Sequence, residues 1–222
     1  MMLYPALADL QQAILACRSE AQANDSSPCN AITAIESYGG DKPLITVPLP
    51  ENLDYEVQVV TLGINPRWSK HQSIPQQGTP TGQTKGPKTF DAYIRTILSG
   101  LPDKRIAHLE LVQCGTPDGS GVGEVIWRCR ERFFDKAIAI LKPKLIIPIG
   151  QWASQHLYAH NTAAGKAGQP WAGIEKRHAF SDRVSICGHQ CNMVYVLQPS
   201  RHVSMEKRLA AKDAIARAMA TE

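Results

Sequence analysis

Four cysteines in this sequence fall into two pairs with a spacing that a metal could use. Cys114 and Cys129 are separated by fourteen residues, the first at the end of an apolar run and the second inside EVIWRCRERFF. Cys17 and Cys29 lie far upstream, separated by eleven residues. Four thiolates from two distant segments form a ligand set for an iron–sulfur cluster or a zinc ion. They are equally the small buried hydrophobes that free cysteines commonly are, and no CxxC pair is present to decide. CGHQC, 187–191, adds Cys187, His189 and Cys191 at a predicted hairpin turn, where such pairs occur without metal.

A second constellation is QPSRHVSMEKR, 198–208. Polar residues there end a predicted strand and open a basic helix. Free N–H groups at a helix start bind anions, Ser200 and Ser204 add hydroxyls, and Arg201, His202, Lys207 and Arg208 add charge. Helix capping by Ser204 beside a solvated basic face accounts for the same residues. A third is VVTLGINPRWSK, 59–70, in which an apolar run stops at Gly63 and gives way to an amide, a proline and a basic, aromatic turn. Nucleotide loops are missing: GxGxxG and GxxxxGK[ST] follow no strand, and GSGVG, 119–123, reads as a flexible helix entry.

The elements that must position these residues alternate. A helix is expected over about 2–20, with Leu3, Leu7, Leu10, Ile14 and Leu15 on one face, then a loop at 21–30 and a short edge strand at 44–49. Core strands are expected at 56–64, 106–113 and 145–150, and a hairpin at 183–199 supplies the fourth with its second arm. Helices are expected at 89–101, at 122–141 ending before Pro143, at 151–159 and at 203–220, and a long polar loop at 71–87. The pattern predicts one domain, 1–222, of three layers, α/β/α, around a mostly parallel four-stranded sheet. Ligands of such sheets bind beyond the carboxyl ends of the strands. GINPRW, QCGTPDG, GQWAS and QPSRH would all meet there.

Composition adds bounds rather than identity. The chain has 222 residues, 43% hydrophobic and 20% charged, with a net charge of +4. That mild basicity permits a polyanionic partner without requiring one. No apolar stretch reaches the ~18–20 residues of a membrane span. MMLYPALADLQQAIL carries Asp9 and Gln11 inside its apolar pattern and reads as an amphipathic helix, so the expected compartment is the cytoplasm.

Taken in order, these pieces resemble the uracil-DNA glycosylase superfamily, and its iron–sulfur branch in particular. LELVQCGTPDGSGVGEVIWRCRERFFDKAIAILKPKLIIPIGQWASQHL, 109–157, is similar to that branch's central segment. There a strand ends in a cluster cysteine, a second cysteine follows inside a helix, and Lys-Pro precedes an apolar strand, a glycine and a new helix. GINP, 63–66, is similar to the first motif of the mismatch-specific branch, and QPS, 198–200, stands where the superfamily carries His-Pro-Ser or Asn-Pro-Ser. The resemblance covers roughly residues 57–205.

It implies a DNA glycosylase-like fold and hydrolysis of the N-glycosidic bond of a flipped base, by a cytoplasmic monomer acting on single- or double-stranded DNA with no membrane partner. Asn65 would orient the attacking water and Gln198 would stabilise the leaving base. Gly63 and Ile64 would line the base pocket, and Phe90 would stack on the base. Ser200 and Arg201 would contact the strand backbone. Cys17, Cys29, Cys114 and Cys129 would hold a structural [4Fe–4S] cluster, with zinc as the alternative. Glu110 stands where a uracil-reading asparagine is usual; an ionised carboxylate only accepts hydrogen bonds, so it would repel the O4 of uracil and accept from an exocyclic amine. An ion pair with Arg105 or another cation is the plainer role for Glu110. A non-catalytic nucleic-acid-binding member of the fold is the alternative function, and a small-molecule enzyme using the same strand-end edge is a third.

Overall fold

The computed structural model describes residues 6–7, 9–10, 12–14, 16–17, 56–64, 93–94, 96–101, 105–112, 122–198 and 203–221. Among them five strands form one sheet: β1 Val59–Gly63, β2 Ile106–Glu110, β3 Leu145–Pro148, β4 Ser181–Ile186 and β5 His189–Val194. Their order is β2-β1-β3-β5-β4. β1 pairs in parallel with both β2 and β3, and β3 in parallel with β5. β4 is antiparallel to β5. The four expected core strands are present. The fifth is the first arm of the hairpin, which alternates exposed and buried positions and so can close the sheet as an edge.

Alternation along the strands splits the core in two. Val60, Leu62, Leu109 and Ile146 face a layer that includes Leu7, Leu10, Ile14 and Phe134. Val59, Leu145, Ile147 and Val194 face the other, with Tyr93, Ile97, Ala211 and Ile215. The expected helix near the N-terminus is thereby seated by its apolar face; Leu3 and Leu15 lie outside the described side chains. Among the described residues no helix is long and apolar enough to cross a membrane.

The helix expected at 122–141 is interrupted. α1 Val122–Cys129 passes into a π-helical turn, Arg130–Phe134, and then into α2 Asp135–Leu141. The cause is visible in the spacing. Val125, Cys129, Phe133, Ala137 and Leu141 are all buried and recur every four residues. An α-helix turns ~100° per residue, so a four-residue repeat drifts by roughly 40° each time. A wider π turn takes up that drift and keeps the stripe on the sheet. α2 ends with Lys142 in the left-handed region (φ 48°), its N–H donating to the Ile138 carbonyl at 2.9 Å, just before Pro143.

α3 Gln151–Asn161 follows β3 through Gly150, whose φ is 86°. It presents Trp152, 62% exposed, in its first turn. His156 on α3 accepts a hydrogen bond from Arg130 Nη1 at 3.0 Å, while Arg130 Nε donates to Asp135 at 3.1 Å. Burial first, then the charge of Arg130 and the neighbouring His160, push the His156 pKa down to about 4. The short helices α4 Ala163–Lys166 and α5 Ile174–Arg177 lead to β4, and α6 Met205–Ala220 ends the described chain. Ser204 caps α6 by accepting from the Lys207 N–H at 3.3 Å, which is the capping role read from the sequence.

His156 must be neutral to accept from Arg130. Its folded pKa lies below its unfolded value, so its contribution is complete above about pH 6.5 and is lost as pH falls towards 4. Urea midpoints should therefore drop across that window. In His156→Gln, whose amide oxygen accepts without titrating, the drop should be measurably shallower.

Candidate functional site

The sheet changes winding direction between β1 and β3, because β2 lies on one side of β1 and β3 on the other. Beyond the carboxyl ends of those strands is the crevice where such sheets bind ligands. β1 and β2 are in register Thr61↔His108 and Gly63↔Glu110. All four residues project from the same face. His108 Nδ1 lies 2.9 Å from Thr61 Oγ1, and His108 Nε2 lies 3.0 Å from Glu110 Oε1. Thr61 Oγ1 is also 3.3 Å from the Ala107 carbonyl. This polar column runs along the sheet and ends at the crevice.

Glu110 is 4% exposed, and its carboxylate lies directly against the α-carbon of Gly63, where a Cβ would overlap it. A side chain at 63 would force that carboxylate to move. The hydrogens can be arranged in more than one complete way. If Thr61 donates to Nδ1, a neutral imidazole donates from Nε2 to an ionised Glu110. If Thr61 donates to the Ala107 carbonyl, Nδ1 donates to Thr61, and Nε2 and Glu110 share the next proton. The second arrangement holds one proton more than the first. The sequence left Glu110 between reading a ligand and pairing with a cation; the structure pairs it with His108.

Gln198 is exposed and lies just beyond β5. A Cβ on Gly150 would come within 3.4 Å of the Gln198 Cβ, so Gly150 leaves room for that side chain and also supplies a positive φ. The Gly150 N–H donates to the Val196 carbonyl at 3.0 Å, and Ser154 Oγ donates to the Gly150 carbonyl at 2.6 Å. Ile64 is half-buried against the first core layer. Asn65, Phe90, Ser200 and Arg201 lie outside the described residues, as do Arg67, Trp68 and Lys70.

Of the four proposed metal ligands, Cys29 and Cys114 are also outside the described residues. Cys17 and Cys129 are both buried in the first core layer. Arg132 Nη1 donates to Cys17 Sγ at 3.4 Å. Among the described residues no group of three possible ligands assembles. CGHQC separates instead. Cys187 is exposed in the turn, His189 Nε2 lies 2.8 Å from the Pro143 carbonyl, and burial pushes the Cys191 thiol up to about 12.

Thr61 and His108 were missed as site residues. A signal was present: VVTLG and IAHLE each place non-apolar residues two apart in an otherwise apolar run. Only the register shows that the two sets face each other. When the chain is compared with known proteins, no family model matches it and no curated protein matches it significantly in sequence.

Gly63→Ala should lower stability by about 1–3 kcal/mol, the usual cost of forcing atoms into a packed site. Urea unfolding of the double variant with Glu110→Ala checks the cause. With the carboxylate gone, the Gly63→Ala penalty should largely vanish.

Proposed function

We propose that this chain is a DNA glycosylase-like protein of the uracil-DNA glycosylase type, cytoplasmic and monomeric, acting on a flipped base. The observation that carries the reading is the Glu110 carboxylate held against Gly63 at the carboxyl ends of β1 and β2. A carboxylate fixed there accepts from N–H groups and repels carbonyl oxygens. The preferred base therefore presents N–H donors on its edge, such as an exocyclic amine, and uracil is disfavoured.

In the proposed reaction, water held by Asn65 attacks C1′ as the N-glycosidic bond breaks. The departing base keeps the bonding electron pair, the sugar passes through a cation-like state, and the water proton is lost to solvent or to a carboxylate. Gln198 donates its amide N–H to a base oxygen as negative charge grows there. Phe90 stacks on the base, Ile64 lines the pocket, and Ser200 and Arg201 hold the backbone. Cys17, Cys29, Cys114 and Cys129 would hold a [4Fe–4S] cluster or zinc, whose part is to shape the fold near the DNA rather than to react. The engagement of Glu110 Oε1 by His108 favours a second reading, in which the pocket is already filled from within and the protein binds nucleic acid without excising a base.

The test is excision on oligonucleotides that each carry one modified base. Release is expected from bases with N–H donors on the read edge. Glu110→Gln, which adds a donor, should move preference towards uracil. Asn65→Ala should lower the rate by about 10²-fold or more. Salt-dependent DNA binding with no release of any base would select the second reading. Absence of DNA binding would overturn both.

A further inference from the structure

Arg177 ends α5 inside an aromatic cage. Its guanidinium carbon lies 5.0 Å from the Tyr158 ring centroid, 5.2 Å from Trp171 and 4.6 Å from Phe180. The rings come from α3, from the segment before α5 and from the entry to β4, and they pack edge to face on one another and on Tyr195. Cation–π contact uses the face of a guanidinium and leaves its in-plane N–H groups to find acceptors. Among the described residues Arg177 has one long contact, from Nη2 to the Pro170 carbonyl at 3.5 Å, at the exposed rim. Its Nε is buried with no acceptor, and so are Trp171 Nε1 and the Tyr195 hydroxyl. The ion pairs among the described residues are His108–Glu110 and Arg130–Asp135.

Arg130 gives the internal contrast. It too sits over an indole, 5.4 Å from Trp127, yet it spends its N–H groups on Asp135 and His156. Among the described residues Arg177 is given no counter-charge. Its Nη2 reaches the exposed rim, and the planar fork of arginine fits two oxygens of a phosphate.

Its position says which phosphate. Ser181 pairs with Val194, so β4 begins at the carboxyl edge of the sheet. The Tyr195 N–H donates to the Phe180 carbonyl at 3.0 Å, which ties the cage to the tail of β5 that leads to Gln198. The next residue, His178, accepts from the Leu197 N–H at 3.4 Å, and its other nitrogen lies 2.7 Å from the Lys207 carbonyl. We propose that Arg177, clamped by Tyr158, Trp171 and Phe180, is a phosphate-binding point at the end of the crevice, where it takes a backbone phosphodiester of the bound strand. This rests on the nucleic-acid reading above for the source of the phosphate, though not for the phosphate chemistry itself.

The experiment has two arms, both on the full chain and on Arg177→Gln and Arg177→Lys. In the first, binding of a fluorescent single-stranded oligonucleotide is followed over a salt series. Arg177→Gln should bind severalfold more weakly, and its plot of log affinity against log salt should be shallower by about 0.7, the loss of one phosphate contact. Arg177→Lys keeps the charge without the fork, so it should keep the slope and still lose affinity. In the second, inorganic phosphate at fixed ionic strength should raise the melting temperature of the native chain and not that of Arg177→Gln. If Arg177→Gln does not fold, Arg177→Lys decides: native affinity in the first arm with a native phosphate response in the second overturns the proposal. An unchanged slope and affinity in a folded Arg177→Gln, with phosphate stabilising both proteins equally, also overturns it. Phosphate stabilisation specific to Arg177, without any oligonucleotide binding, upholds the phosphate site and overturns the DNA reading.

Discussion

β1 is hydrogen-bonded on both sides by parallel neighbours, and the rest of the molecule is arranged around that fact. Val59, Val60 and Leu62 are all fully buried, so both faces must be covered, and two separate apolar layers do so. A strand in that position cannot slip by one residue without exchanging the contents of the two layers. The register with β2 is therefore fixed by the core. That same register brings Thr61 to His108 and Gly63 to Glu110. The polar column is a by-product of apolar packing, and it is placed with the accuracy of a core.

Burying such a column has a cost that the fold meets locally. An isolated carboxylate in the sheet would be strongly unfavourable, but Glu110 has the His108 ring at 3.0 Å and His108 has the Thr61 hydroxyl at 2.9 Å. Arg130 is treated the same way, with Asp135 and His156 as partners. Both clusters are networks of mixed polarity. The aromatic cage around Arg177 is the exception: among the described residues its cation has three rings and one long contact to the Pro170 carbonyl, and no carboxylate.

Much of this architecture was legible in the sequence. The runs VVTLG and LIIP read as central strands because they are apolar without alternation, and Gly150 marked the passage into a helix. The first hairpin arm, Ser181–Ile186, was not counted as a sheet strand, because its alternating pattern lacks the apolar density of a central one. The π turn was hidden for another reason: a repeat of four is close enough to 3.6 to pass for a regular helix over short windows. The site was legible in part. Glu110 was singled out by the family resemblance, as the position of its base-reading asparagine, and Gln198 by the QPS motif; they end β2 and follow β5. His108 and Thr61 were not, since residues forty-seven apart in sequence are joined only by strand register. Arg177 escaped for the same reason: its cage is gathered from three separate segments.

The hairpin that closes the sheet reverses through Cys187 and Gly188, with φ of 48° and 79°. Two consecutive positive φ values give a tight turn whose twist matches that of the strands it joins. β5 begins directly after it, so the turn sits at the amino end of the parallel strands, a full strand length from Gln198 and the crevice. The Cys187 thiol is exposed there, while Cys17, Cys129 and Cys191 are buried. A dye or spin label coupled to that thiol would ride on a rigid corner of the sheet. With Cys29 and Cys114 replaced by serine, it would report tumbling and complex formation from that corner alone.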